Sequence, residues 1–97
     1  RAMPHVSTGR PCDAVECVGA YGQCFIDTES KDAPYGVALS RQNLPSLPGS
    51  DAYLTLSRGA YVTREAEKPD MKLILLATGS EVEWAINSAG EYEKVFG

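Results

Sequence analysis

Apolar residues along the chain fall into helical stripes and short unbroken runs, and each predicts its own element. Val18, Tyr21 and Phe25 recur at spacings of three and four, the period of one helix face. Asp13 stands ahead of them with Glu16 three residues on, the spacing of a capping box. A helix is therefore expected from about Ala14 to Thr28, weakened at Gly19 and Gly22 by about 1 kcal/mol each. Val37, Ala38 and Leu39 run straight into the polar triplet Ser40-Arg41-Gln42, and Pro45 stops any regular element. That pattern reads as a buried strand, Val37–Ser40. Leu73-Ile74-Leu75-Leu76-Ala77 is the most hydrophobic run and suits a parallel strand covered on both faces. Thr78-Gly79-Ser80 turns it. Ser80 with Glu83 makes a second capping box, and Ala85, Ala89, Tyr92 and Phe96 give an amphipathic helix from Glu81 to about Lys94.

The remaining stretches connect these elements. His5 to Thr8 is weakly strand-like, and Arg10-Pro11 ends it, because proline pushes its predecessor into an extended conformation. Strand, helix and the strand at Val37 then form a parallel crossover unit, the mark of an α/β fold. From Leu44 to about Leu56 the density of Pro45, Ser46, Pro48, Gly49 and Ser50 excludes regular structure, so this stretch reads as a linker. Gly59-Ala60-Tyr61-Val62-Thr63 fits a short edge strand, and Arg64 to Asp70 is a polar run.

Composition narrows the function. The net charge of −4 and the scatter of the basic residues exclude a polycationic nucleic-acid surface. No apolar run approaches transmembrane length, and no signal-peptide pattern is seen. Cys12, Cys17 and Cys24 are an odd set without the spacing of a zinc site or a disulfide framework. Cys17 and Cys24 read as buried core thiols in a reducing compartment, with Cys12 a candidate for oxidation. His5 is the only histidine and reads as a loop or surface residue, so neither a triad nor a metal cluster is supported. Both ends of the chain look cut: it starts at Arg1 and stops at Gly97 inside an expected helix.

Three features could carry chemistry. Asp13 and Glu16 resemble paired catalytic carboxylates, but capping explains both. Thr78-Gly79-Ser80 before a helix could offer amides to a phosphate. It lacks the glycines and lysine of a phosphate-binding loop, and Glu81 and Glu83 oppose an anion, so a tight capped turn is the better reading. Arg41 follows a strand, at the end where open α/β sheets bind ligands. On the residues alone it is either a ligand clamp or a surface ion-pair partner, the second being the usual role of an exposed arginine.

Leu39-Ser40-Arg41-Gln42-Asn43-Leu44-Pro45 resembles the segment that closes the second, pyrimidine-binding domain of transketolases. Arg10-Pro11-Cys12-Asp13 with Glu16, Arg58-Gly59-Ala60-Tyr61-Val62 and Ala77-Thr78-Gly79-Ser80-Glu81-Val82-Glu83 agree in order and spacing, so the likeness runs across nearly all the chain. Gly9 departs from it, standing where the family usually carries an aromatic. The resemblance implies pieces of two parallel-sheet three-layer domains. Residues 1–43 would end the pyrimidine-binding domain, 44–70 would form the interdomain linker with its edge strand, and 71–97 would begin the C-terminal domain. It implies that Arg41 binds the terminal phosphate of sugar phosphates, with Ser40 and Gln42 as its supports and no catalytic residue in this stretch. It also implies a cytoplasmic homodimeric transferase that moves a two-carbon ketol unit in the pentose phosphate pathway. An organellar address on a missing N-terminus is left open. The cofactor would be thiamine diphosphate with a divalent metal, Mg or Ca, and the ligands for both would lie outside this chain, which alone would be inactive. A dihydroxyacetone synthase would look much the same here. A non-catalytic small α/β interaction module is the alternative from another class.

Overall fold

The computed structural model describes residues 3–26, 33–67 and 73–96. Strand β1 (Ser7–Gly9) pairs in parallel with β2 (Tyr35–Val37), Ser7 opposite Tyr35 and Gly9 opposite Val37. Helix α1 (Ala14–Phe25) crosses between them, so the expected strand–helix–strand unit is present. β2 begins two residues earlier than the apolar run suggests and ends at Val37. Leu39 lies beyond it and is exposed, so the expectation of a buried strand Val37–Ser40 is corrected. The ladder stops because β1 ends at Gly9, whose carbonyl accepts the last bond, from Ala38 N–H at 2.9 Å.

α1 starts at the expected cap. Glu16 N–H donates to Asp13 Oδ1 at 2.9 Å, and Cys12 N–H donates to Glu16 Oε2 at 2.8 Å, so the box closes one residue upstream of the cap itself. The helix is last described at Ile26, its C-cap, and Thr28 lies outside the described residues. Its buried face is not the predicted one. Val18, Tyr21 and Phe25 are exposed, Phe25 at 83%, while Gly19 and Ala20 are buried. The two glycines explain the reversal. A Cβ on Gly19 would lie 2.5 Å from the Ala52 carbonyl oxygen and 2.6 Å from Thr55 Cβ, and one on Gly22 3.3 Å from Leu56 Cδ1. The glycines admit a second helix at close range.

That helix, α2 (Ala52–Arg58), corrects the reading of Leu44–Leu56 as wholly irregular. Asp51 caps it, accepting from Leu54 N–H at 2.8 Å, and Gly59 closes it in the left-handed conformation with φ 70°. Only the proline- and glycine-rich part before Asp51 lacks regular structure. Gln23 of α1 ties the pair together, its Nε2 donating to Thr55 O and Leu56 O at 3.0 Å each. Tyr35 of β2 joins by donating its hydroxyl to Gln23 Oε1 at 2.6 Å. A Cβ at Gly9 would collide with that hydroxyl, so Tyr35 occupies the space beside Gly9.

Two expected strands are absent among the described residues. Gly59–Thr63 is irregular, and Leu73–Ala77 pairs with no described strand. A strand exists only as part of a ladder, and without a hydrogen-bonded neighbour the hydrophobic run stays exposed, Leu76 at 93%. It borders a groove of about 920 Å³ shared with residues 59–67 and with Ala85, Ile86 and Ala89. The Cα radius of gyration is 15.0 Å, against about 13 Å for a closed domain of this length.

A single 3₁₀ turn (Gly79–Glu81) leads into α3 (Val82–Phe96). Ser80 sits inside that turn, and Thr78 takes the capping position without a side-chain bond, so no Ser80–Glu83 box forms. The Tyr92 and Phe96 rings meet tilted by 36° with centroids 4.7 Å apart, but both are exposed. Arg64 docks the 60–67 segment on α3, donating to Ile86 O at 2.9 Å and pairing with Glu93.

Candidate functional site

The carboxyl ends of β1 and β2 lie side by side, so Arg10 and Ser40 emerge at one edge. A small cleft of about 120 Å³ opens there, lined by Arg10, Pro11, Ala38, Leu39, Ser40, Gly79 and Ser80. Gly79 N–H donates to Arg10 O at 3.0 Å, which holds the turn before α3 against the end of β1. Gly79 has φ 63°, the left-handed region that favours glycine, and a Cβ there would sit 3.3 Å from Arg10 Nε and Nη2, close enough to push the guanidinium aside. The Gly79 amide is thereby spent on a carbonyl. This supports the turn reading over a phosphate cradle.

Of the three residues predicted for the site, Ser40 lines the cleft, whereas Arg41 and Gln42 stand beside it and are exposed. Arg41 makes no ion pair or hydrogen bond with another described residue, so the surface ion-pair reading finds no partner there. Arg10 was not anticipated. The signal was present: an arginine directly after a strand, the same logic that singles out Arg41.

Behind the cleft lies a buried polar cluster. Asp13, 4% exposed, accepts from Glu16 N–H through Oδ1, and through Oδ2 from Leu47 N–H at 2.9 Å and Ser50 Oγ at 2.5 Å. Burial alone would raise its carboxyl, but the bonds from Glu16, Ser50, Leu47 and Val15 outweigh that and lower it. Glu16 Oε1 accepts from the Tyr61 hydroxyl at 2.6 Å, which in turn accepts from Asp51 N–H at 3.0 Å. Burial, then the bond to Glu16, push the Tyr61 phenol up. Every oxygen of Asp13 and Glu16 is thus engaged in holding backbone or Tyr61, as capping and packing require.

Cys12, 2% exposed, has its thiol pushed up to about 12 by burial first, then by the bond to Glu16 and the charges of Glu16 and Asp13. This counts against the suggested oxidation, which needs the thiolate. Cys17 is only half-buried, like Cys24, and burial raises its thiol too. All three cysteines are free thiols. His5 is exposed on its loop, as expected. Among the described residues no group of three or more His, Cys, Asp or Glu side chains could hold a metal ion. No described helix is long and apolar enough to cross a membrane.

No protein-family profile matches the chain. A transketolase from Halalkalibacterium halodurans is 47% identical to it over 96 residues, 97% of this chain and 14% of that protein. Transketolase 1 of Saccharomyces cerevisiae is 43% identical over 89 residues, 92% of this chain and 12% of that protein. Among solved structures, an arginine-to-leucine mutant transketolase from Pichia stipitis superposes with a TM-score of 0.82 at 38% identity, covering 97% of this chain and 13% of that one. The chain is homologous to a segment of transketolase. Helices with a small parallel sheet agree with an α/β transketolase segment. The relatives' names favour transketolase, a transferase, over the dihydroxyacetone synthase and interaction-module alternatives. The segment spans 12–14% of the length of these transketolases, so the reaction of a whole enzyme rests on far more chain than this.

Proposed function

We propose that this chain is part of a transketolase that transfers a two-carbon ketol unit between sugar phosphates, and that Arg41 receives the terminal phosphate. The carrying observation is a guanidinium left without a described partner beside the carboxyl ends of two parallel strands. That location is where open α/β sheets take ligands. Arginine's rigid fork of donors suits phosphate oxygens and stays charged at any working pH. Ser40 and Gln42 support it, Ser40 from the wall of the adjoining cleft.

In this reading residues 1–43 end the pyrimidine-binding domain, 44–70 connect, and 71–97 begin the C-terminal domain. The enzyme is a cytoplasmic homodimer in the pentose phosphate pathway. Thiamine diphosphate with Mg or Ca supplies the carbanion chemistry when bound. The ligands for both belong to the rest of the enzyme. This segment contributes substrate binding.

The test is Arg41→Ala in a full-length transketolase carrying this segment. KM for phosphorylated substrates should rise about tenfold or more, since a charge-assisted hydrogen bond is worth about 1.5–3 kcal/mol. An equal loss with a non-phosphorylated acceptor would refute the role.

A further inference from the structure

Arg41 has no described partner of its own, so its place depends on the backbone that carries it. Residues 39–46 form a strap hung between two clamps. At one end Ala38 N–H donates to Gly9 O at 2.9 Å. At the other, Leu47 N–H and Ser50 Oγ donate to Asp13 Oδ2 at 2.9 and 2.5 Å, and Ser50 N–H donates back to Leu47 O at 3.2 Å.

We propose that Asp13 is a positioning residue for Arg41, its Oδ2 fixing the far end of the strap while its Oδ1 caps α1. This rests on the phosphate role proposed for Arg41. The division of labour between the oxygens carries the argument. A cap needs one acceptor, which Ser or Asn supplies about as well as Asp. A second buried acceptor oxygen is needed only because the strap presents two donors to it, and a buried carboxylate is tolerated only when so satisfied. Asparagine cannot serve both ends. However its amide is turned, the NH2 faces the fixed donor of either Glu16 N–H or Leu47 N–H, even though the Ser50 hydroxyl could turn to accept.

The experiment is a double-mutant cycle in a full-length transketolase carrying this segment, with D13N, S50A, R41A, D13N/R41A and S50A/R41A. kcat/KM is measured with ribose 5-phosphate as acceptor and with a non-phosphorylated aldose. In the parent background D13N should lower kcat/KM for ribose 5-phosphate about tenfold, mainly through KM, because small misplacements of a binding group are costly. Ser50→Ala, which keeps the cap and the Leu47 bond, should lower it about threefold. In the R41A background each should lower it less than about twofold further, the sign of coupled residues. Full additivity would overturn the proposal and leave the Arg41 reading intact. If R41A itself weakens both acceptors equally, the phosphate reading fails and this proposal falls with it. Should D13N be recovered only as aggregate, the S50A/R41A cycle decides by the same criterion.

Discussion

Gly19→Ala sets two effects of opposite sign against each other. In an exposed helix interior the change stabilises by roughly 1 kcal/mol, because glycine carries the larger entropy cost. Here the added methyl would meet Ala52 O at 2.5 Å and Thr55 Cβ at 2.6 Å. Carbon contacts are comfortable only at about 3.5 Å and beyond, so α1 and α2 must part by about 1 Å. Neither neighbour can swing away, since one is backbone and the other a β-carbon. Overpacking of this kind costs about 1–3 kcal/mol. The parting also stretches the Gln23 bonds to Thr55 O and Leu56 O past useful length, at about 1 kcal/mol each. Subtracting the propensity gain leaves a loss of about 2–4 kcal/mol.

Amide exchange across α1 and α2 reads this locally, without requiring two-state unfolding of a large enzyme. In a full-length transketolase carrying the segment, exchange in both helices should speed at least about tenfold, each 1.4 kcal/mol being a factor of ten. Gly22→Ala is the control. Its methyl would meet only the Leu56 side chain, Cδ1 at 3.3 Å and Cδ2 at 3.6 Å, an end that can turn. Exchange there should stay level or slow. If Gly19→Ala slows exchange as well, the close approach of the two helices is refuted.

Arg64→Ala should release residues 60–67 from α3, since it removes the bond to Ile86 O and the pair with Glu93. The expected cost is about 1.5–3 kcal/mol, read as faster proteolytic nicking between Tyr61 and Glu67. Cys12 should react with iodoacetamide at pH 8 about a thousandfold more slowly than free cysteine, because a thiol held near 12 is almost wholly protonated. Its raised pKa means that Cys12 contributes stability below about pH 9 that is lost as pH climbs toward 12, so the melting temperature should fall across that range and fall less in Cys12→Ala. Asp13 has the opposite sign. Its lowered carboxyl contributes stability above its ordinary value near 3.8 that is lost as pH drops through the lower folded value, and Asp13→Asn should flatten that acid limb of the melting profile.

The parallel crossover was legible because each part of it is local: a cap, a helix and two short strands in chain order. α2 was hidden by the prolines and glycines ahead of it, although Asp51 before Ala52 and Gly59 after Arg58 are a start and a stop signal in their own right. The apolar stripe of α1 misled because periodicity finds an apolar face and not its neighbour, and the glycine face allowed the closer approach. Leu73–Ala77 has strand composition, but a ladder is a property of two chains' worth of backbone and cannot be read from one run. At the site, position after a strand picked out Arg41 and should have picked out Arg10. The links from Asp13 to Leu47 and from Glu16 to Tyr61 join residues far apart in sequence, and no local pattern announces them.

Those distant links join the interior to the surface arginine. α2 can cap at Asp51 in its observed place only because Gly19 lets it lie against α1. Asp51 N–H fixes the Tyr61 hydroxyl, Tyr61 bonds Glu16, and Glu16 closes the start of α1 at Cys12. Ser50, the residue before Asp51, is therefore delivered to Asp13 by the packing of two helices. An exposed arginine has several rotatable bonds and much side-chain entropy, so its own contacts are poor at holding it. Its direction is set instead by where its backbone starts and stops. On the phosphate role proposed for Arg41, a Gly19 substitution that moves α2 should thus raise KM for ribose 5-phosphate without touching Arg41, whereas Arg64→Ala, which loosens only the α3 side, should not.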